Sequence, residues 1–329
     1  MKFIAMSLFL GSLSLPLSAT VESSVIPMME QIYGQDVGKK ANSKQKKAMQ
    51  RAVENRSKNM RVMTYNMLYN AEDAENKLPP KYRWKERKPR LKEYLLYANA
   101  DLIGSQELQE SQVPEVLKML GPDYGWYGEK TRENEGRSDI NAIFFKKSRL
   151  ELLETATIPY PHSEYNNAFT FCRFQDSSQG KTFVVVNTKL SYGDPERRLH
   201  EATQLNEFSN RLPKETPVII MGDFNSFPFI QDKRNLFFDG DFILEILGSE
   251  KLKCAKAKSS YGHFGPVCSI TNSNTTLEPF AGPQLPGFIL DHIFINDCIE
   301  VATHGIDIAR VNGEFPSDHF PVIAELYIR

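Results

Sequence analysis

The sequence predicts an α/β fold organised around a core sheet. Two observations carry that expectation. From residue 61 onward, short β-branched and aromatic runs alternate with segments of helical period. At 329 residues and 41% hydrophobic content, the chain also has enough apolar surface for one large domain or two smaller ones.

Taken from the N-terminus, Lys2 precedes an apolar stretch over residues 3–17 that ends in Leu17-Ser18-Ala19, the layout of a secretory signal peptide. Residues 1–19 are expected to be removed after Ala19 and the protein exported, so that it is periplasmic or secreted. The stretch is shorter than a spanning helix requires and no second long apolar run follows, so no stable membrane insertion is expected; the protein is also expected to be a monomer. Residues 20–59 read as a basic, polar, helical linker, with eight Lys/Arg against the single acid Glu54 between residues 39 and 58. Residues 1–60 hold nine of the chain's 40 Lys/Arg and four of its 41 Asp/Glu, which leaves 31 basic and 37 acidic residues, a net of −6, on the rest. That balance weighs against a domain held to nucleic acid mainly by backbone charge.

In residues 60–329, strands are expected at 62–67, 102–105, 142–146, 183–190, 218–221, 290–296 and 322–328. Helices are expected at 92–98, 113–120 and 195–212. The last opens on Asp194-Pro195, an N-cap followed by proline at the first helical position, and Leu199, Ala202, Leu205, Phe208 and Leu212 are expected along its buried face. Residues 259–287, rich in Gly, Pro, Ser, Thr and Asn, read as a long surface loop of the kind that shapes substrate access. Of the four cysteines, Cys254 and Cys268 bracket a Gly/Ser/Lys loop and are expected to form a disulfide after export. Cys172 and Cys298 fall within apolar runs and are expected as buried thiols.

Polar groups recur where apolar runs end. Asn66 follows Val-Met-Thr-Tyr, and Glu107 follows Leu-Ile-Gly-Ser-Gln. Asp223 and Asn225 follow Val-Ile-Ile-Met-Gly, Asp291 precedes His-Ile-Phe-Ile, and Asp318 and His319 precede Phe-Pro-Val-Ile. Such residues sit at a sheet edge, where several strands converge on one crevice. Oxygen donors without thiolates suit Mg²⁺ or Mn²⁺ rather than zinc. A phosphate ester is the substrate best served by such a cation beside acid/base carboxylates and one histidine.

The ordered series Thr64-Tyr65-Asn66-Met67, Ser105-Gln106-Glu107, Val186-Asn187-Thr188-Lys189-Leu190, Gly222-Asp223-Phe224-Asn225-Ser226, Leu290-Asp291-His292-Ile293 and Ser317-Asp318-His319-Phe320-Pro321 resembles the endonuclease/exonuclease/phosphatase superfamily. The segment 84–90 also looks like bacterial members. The resemblance implies a four-layer sandwich, two mixed sheets face to face with helices outside, and an active site at one edge of the sheets. It implies Glu107 as principal metal ligand, with Asn66 beside it and Asp318 near the metal on the other side. Asp223 would handle the proton of water or leaving group, and Asn225 would orient it or the phosphate. His319, bonded to Asp291, would donate to the scissile phosphate. Asp139 and Asn141 lie where relatives place supporting polar residues.

One departure stands out: relatives read Asn-Thr-His-Leu where this chain reads Asn187-Thr188-Lys189-Leu190. Period-two alternation puts Lys189 on the same side of its strand as Asn187, so Lys189 is expected to donate to phosphate as a point charge in place of imidazole. The substrate stays open at this point between nucleic acid, a phospholipid head group as in sphingomyelinases, and a small phosphorylated metabolite. A non-catalytic exported binding protein on the same fold is the other class.

Overall fold

The computed structural model describes residues 21–22, 26, 29, 42–70, 78–130, 139–161, 167–227, 230–231, 237–238, 243–248, 251–271 and 287–329. The expected signal peptide lies outside the described residues, as does the 272–286 part of the long loop.

Two mixed sheets form the interior. The first runs, edge to edge, β10 (His263–Phe264), β12 (Ile299–Ile306), β13 (Val322–Ile328), β1 (Met60–Asn66), β2 (Leu102–Gln106), β4 (Ile143–Lys146) and β3 (Tyr124–Tyr127). The second runs β9 (Leu252–Cys254), β11 (Asp291–Asn296), β8 (Val218–Asp223), β7 (Lys181–Lys189), β6 (Ala168–Asp176) and β5 (Leu150–Pro159). Strands β1 and β2 are parallel, as are β7 and β8, and their runs are buried on both faces because each sheet is covered on both sides.

Alternation along each strand sorts its side chains between two cores. Val62, Leu102, Phe145, Val322 and Leu326 of the first sheet meet Phe174, Phe183, Val185, Met221 and Ile293 of the second. The opposite faces, Met63, Tyr65, Ile103 and Phe144 in one sheet and Val184, Val186, Ile220 and Phe294 in the other, are covered by helices. Helices α2 (Trp84–Ala98) and α3 (Gln112–Leu120) cover the first sheet, and α4 (Pro195–Arg211) covers the second. This is the four-layer α/β sandwich that the resemblance implied.

Local chemistry accounts for the helix bounds and for two departures from expectation. Helix α2 begins eight residues earlier than its apolar period indicated, because Pro89 removes one N–H without ending the helix. Helix α4 starts where Asp194 accepts from the Arg197 N–H with Pro195 in the first turn, yet Leu199 is 45% exposed. The stripe that faces the sheet is Arg198, Ala202, Leu205 and Ser209, spaced by four, three and four.

Within the expected linker, the described residues comprise a mostly exposed helix and short segments that pack on the domain. Residues 21–22 pair with 310–311, and Ile26 and Met29 join the core under α2. Helix α1 (Ser43–Glu54), closed by an Asn42/Gln45 capping box, buries Ala52 and pairs Arg51 with Glu300 of β12 at 2.8 Å.

The expected Cys254–Cys268 disulfide is not formed. The chain between the two crosses from one sheet to the other. Cys254 ends β9 in the second sheet, paired with Phe294, whereas Ser259 bridges Val301 and β10 pairs with β12 in the first. Cys268 Sγ instead donates to the Ile270 carbonyl. Cys172 is buried, which pushes its thiol pKa up, but Cys298 is only partly buried, in the turn between β11 and β12. Among the described residues no helix is long and apolar enough to cross a membrane.

Candidate active site

Strand pairing builds the site. Across the second sheet, Lys189 lies opposite Asp223 and Asp223 opposite Asp291, so three adjacent strands bring a lysine and two aspartates to one edge. In the first sheet, Asn66 lies opposite Gln106, with Glu107 next in the chain, and the turn that leads into β13 brings Asp318 and His319. The two edges coincide because Gly104 lets the sheets approach closely there. A Cβ on Gly104 would stand 2.7 Å from Asn187 Oδ1 and 2.8 Å from Met221 Cε. Through that contact Gln106 Nε2 donates to Asn187 Oδ1 at 2.7 Å, and Asn187 Nδ2 donates to the Ser105 carbonyl at 2.8 Å. Gly222 has the same duty within one sheet, since a Cβ would meet the Thr188 carbonyl oxygen at 2.0 Å.

Asn66 sits at the centre. Its amide Nδ2 donates to Glu107 Oε1 and to Asp223 Oδ2, each at 3.0 Å, and its Oδ1 accepts from the Leu68 N–H. The side chain expected beside a metal thus bridges two carboxylates, and it joins the sheets as it does so. His319 Nδ1 donates to Asp291 Oδ2 at 2.8 Å, and its Nε2 comes within 3.4 Å of Asn66 Nδ2. Asp223, Asp291 and His319 offer ligand atoms that all lie within 4.8 Å of one another. Asn225 donates its backbone N–H to Asp223 Oδ1 and its amide to the Leu190 carbonyl. Lys189 Nζ lies 2.5 Å from Glu107 Oε1 and 3.5 Å from Asp139 Oδ2. Asp139 is held at its other oxygen by Gln109 Nε2, and Asn141 stands further back, donating to the Ala168 carbonyl of β6. The structure brings together Asn66, Glu107, Asp139, Lys189, Asp223, Asn225, Asp291, Asp318 and His319, and places Asn141 behind them.

Burial and charge shape the electrostatics. Burial pushes the Asp223 carboxyl up to about 6, with Asp291 adding to the rise and His319 and Lys189 opposing it. Asp318 is raised for the same first reason, with Glu107 contributing. Burial alone would lower His319, but Asp291, Asp223 and Asp318 outweigh it and push the imidazolium up to about 10. The histidine is therefore a cation at neutral pH. The backbone is strained at the same edge. Leu68, Glu107 and Asn225 take φ of 57°, 66° and 47°, left-handed values that non-glycine residues adopt at a cost.

Three contributors were not singled out from sequence. Arg87 is fully buried in α2 and donates to the carbonyls of Met67 and Leu68 at 2.6 and 2.5 Å, and to Pro316 at 3.4 Å, with its guanidinium 4.8 Å from the Trp84 ring. It ties the loop after Asn66 to the loop before Asp318. A tryptophan and an arginine three apart in a helix were the available signal. Ser317 Oγ donates to the Asn66 carbonyl at 2.8 Å, and Gln106 stitches the sheets as described. The segment read as a surface loop also reaches the site: Thr271 N–H donates to the Asp318 carbonyl, and Ser269 accepts from the Leu290 and Asp291 N–H groups.

Comparison with known proteins places this geometry. Protein angel homolog 2 of Danio rerio is 29% identical over 218 residues, covering 58% of this chain and 38% of that protein. The Ccr4 3′-5′-exoribonuclease subunit of the Saccharomyces cerevisiae CCR4-Not complex is 22% identical over 346 residues, covering 84% of this chain and 40% of that protein. The chain thus spans well under half the length of either relative. A Bacteroides thetaiotaomicron mannosyl-6-phosphatase superposes with a TM-score of 0.66 at 19% identity, covering 82% of this chain and 100% of that one, a likeness of fold. The model of the Endonuclease/Exonuclease/phosphatase family matches residues 63–319, from inside β1 to His319, and the chain belongs to that family.

Proposed function

We propose that the protein is a divalent-metal-dependent phosphoesterase whose cation is Mg²⁺, or Mn²⁺ in its place, held by Glu107 and Asp318. The observation that carries this reading is the convergence of carboxylates on one crevice: Asn66 donates to Glu107 and to Asp223 at 3.0 Å each, and the Glu107 charge helps to raise the buried Asp318 carboxyl. The donor set fits a hard cation: carboxylate oxygens without a thiolate, crowded so that burial and mutual repulsion raise Asp223 and Asp318. Asp291 Oδ1 is also a buried acceptor with no hydrogen-bond partner among the described residues. Held by Glu107 and Asp318, the cation would supply neutralising charge to non-bridging phosphate oxygens.

The chain's own groups do the rest. Asp223, poised near pH 6, is ionised at neutral pH and basic enough to take a proton from the attacking water. Asn225, bonded to Asp223, fixes the direction of that carboxylate. His319, kept cationic and oriented by Asp291, donates from Nε2 to a phosphate oxygen as negative charge develops. Lys189 adds a second positive charge beside the same crevice.

Of the chemistries named by the relatives, an RNA diester and a sugar monoester, the net −6 of residues 61–329 favours a compact phosphate ester over a long polyanion. The apolar leader supports export to the periplasm or medium. The test is a parallel screen of the full chain against sugar phosphates, inositol phosphates, nucleotides, sphingomyelin, RNA and plasmid DNA, each with Mg²⁺ or with chelator. Hydrolysis of at least one ester that stops in chelator supports the reading, and hydrolysis indifferent to chelator refutes it.

A further inference from the structure

Lys189 stands against the carboxylate assigned to the metal. Its Nζ is 2.5 Å from Glu107 Oε1 and 3.5 Å from Asp139 Oδ2, and its side chain is only 9% exposed. Strand register puts it opposite Asp223 at the end of β7, so the backbone fixes where the ammonium can reach. Asp139 is itself anchored by Gln109 at 2.7 Å, which makes the Glu107–Lys189–Asp139 row a built arrangement rather than a chance surface pair. Glu107 Oε1 already receives the Asn66 amide, so two donors converge on one oxygen of the carboxylate assigned to the metal.

We propose that Lys189 is a tethered counter-cation that sets the affinity of the site for its divalent ion. The ammonium shares Glu107 with the ion, so the ion binds a carboxylate already partly neutralised and meets a like charge a few ångströms away. Binding is weakened, and the ion must draw Glu107 away from Lys189. The ammonium so released turns toward the substrate, whose phosphate carries the compensating negative charge, so ion and substrate bind better together than apart. This inference rests on the reading of Glu107 as a metal ligand.

The test titrates Mn²⁺ into the metal-free full chain and reads free Mn²⁺ by electron paramagnetic resonance, with no turnover involved. Lys189→Met, which keeps the chain's reach without its charge, should bind Mn²⁺ about tenfold more tightly or better, while its turnover falls. Lys189→Gln serves the same purpose if Lys189→Met fails to fold, and Lys189→Arg, which keeps the charge, should stay near the wild-type affinity. Neutral variants that fold and bind Mn²⁺ no more tightly than wild type would overturn the inference and leave the metal assignment standing. Wild type and variants that all fail to bind Mn²⁺ at millimolar concentration would overturn both.

Discussion

Asp291 holds His319 by a single hydrogen bond, Nδ1 to Oδ2 at 2.8 Å, and the negative charge set beside the ring by that bond favours its protonated form. Burial works against the imidazolium, and the Asp291 carboxylate opposes it most strongly, with Asp223 and Asp318 helping to carry the group up to about 10. In the metal-free wild type the imidazole resonances of His319 should therefore not titrate between pH 6 and 8. In Asp291→Asn they should, because the neutral amide leaves burial less opposed. Turnover at pH 8 should fall on the order of a hundredfold in both Asp291→Asn and His319→Ala, with little change in melting temperature. An Asp291→Asn ring that stays protonated at pH 8 would assign the charge to Asp223 and Asp318 instead.

Asp223 is expected to trade stability for chemistry. Its carboxyl is raised from 3.8 to about 6, so between those values the folded protein holds more of the proton than the unfolded chain does. That contribution favours the fold below about pH 4 and is lost as pH rises through 6. In chelator at pH 8, Asp223→Asn should melt higher than wild type, by an amount equivalent to about 1–3 kcal/mol, and the gap should close toward pH 4. Turnover should drop on the order of a hundredfold or more over the same change. A variant that melts lower than wild type at pH 8 would mean that the charge holds the strand ends together.

Glu107→Gln should abolish cation-dependent turnover while the protein still folds. The amide preserves the shape of the side chain but removes the charge that a hard cation needs. Excess chelator should stop wild-type turnover, and returning Mg²⁺ should restore it. Circular dichroism melts and activity recovery, measured side by side, check both halves.

Arg87→Ala should cost about 3–5 kcal/mol, because it strips the buried carbonyls of Met67, Leu68 and Pro316 of a charged donor. Arg87→Lys retains a charge but lacks the fork that serves several carbonyls at once. It should recover part of the melting temperature and less of the turnover. Equal recovery of both would make Arg87 a stabilising residue with no part in aligning the two loops.

Much of this architecture was legible in the sequence because parallel strands buried on both faces read as apolar runs, and the site residues stand where those runs stop. Strands β3, β6, β9, β10 and β12 were not among those expected, and β5 was the least legible. It is an edge strand with a bulge between Leu152 and Glu154, which breaks the period of two, and most of its residues are partly or fully exposed. Leu199 was misplaced because apolar identity was followed where the helix turns Arg198 and Ser209 inward. The Glu107–Lys189 pair was invisible for another reason. Alternation gives the side of β7 on which Lys189 emerges but not what the opposing sheet presents there, and Glu107 lies 82 residues earlier. The cysteine pairing failed because spacing along the chain says nothing of a segment that changes sheets between the two thiols.

Strand β13 lies in the middle of its sheet, between β12 and β1, though it follows β1 by some 260 residues. During synthesis β1 can pair only with β2 until residues 322–328 have emerged. The sheet therefore keeps an open slot along its centre, and Asp318 and His319 are delivered by the same late segment that fills it. Contacts of such range close slowly, so the nascent chain stays unlocked for most of its production. The candidate site is therefore assembled only when the last strand slides home.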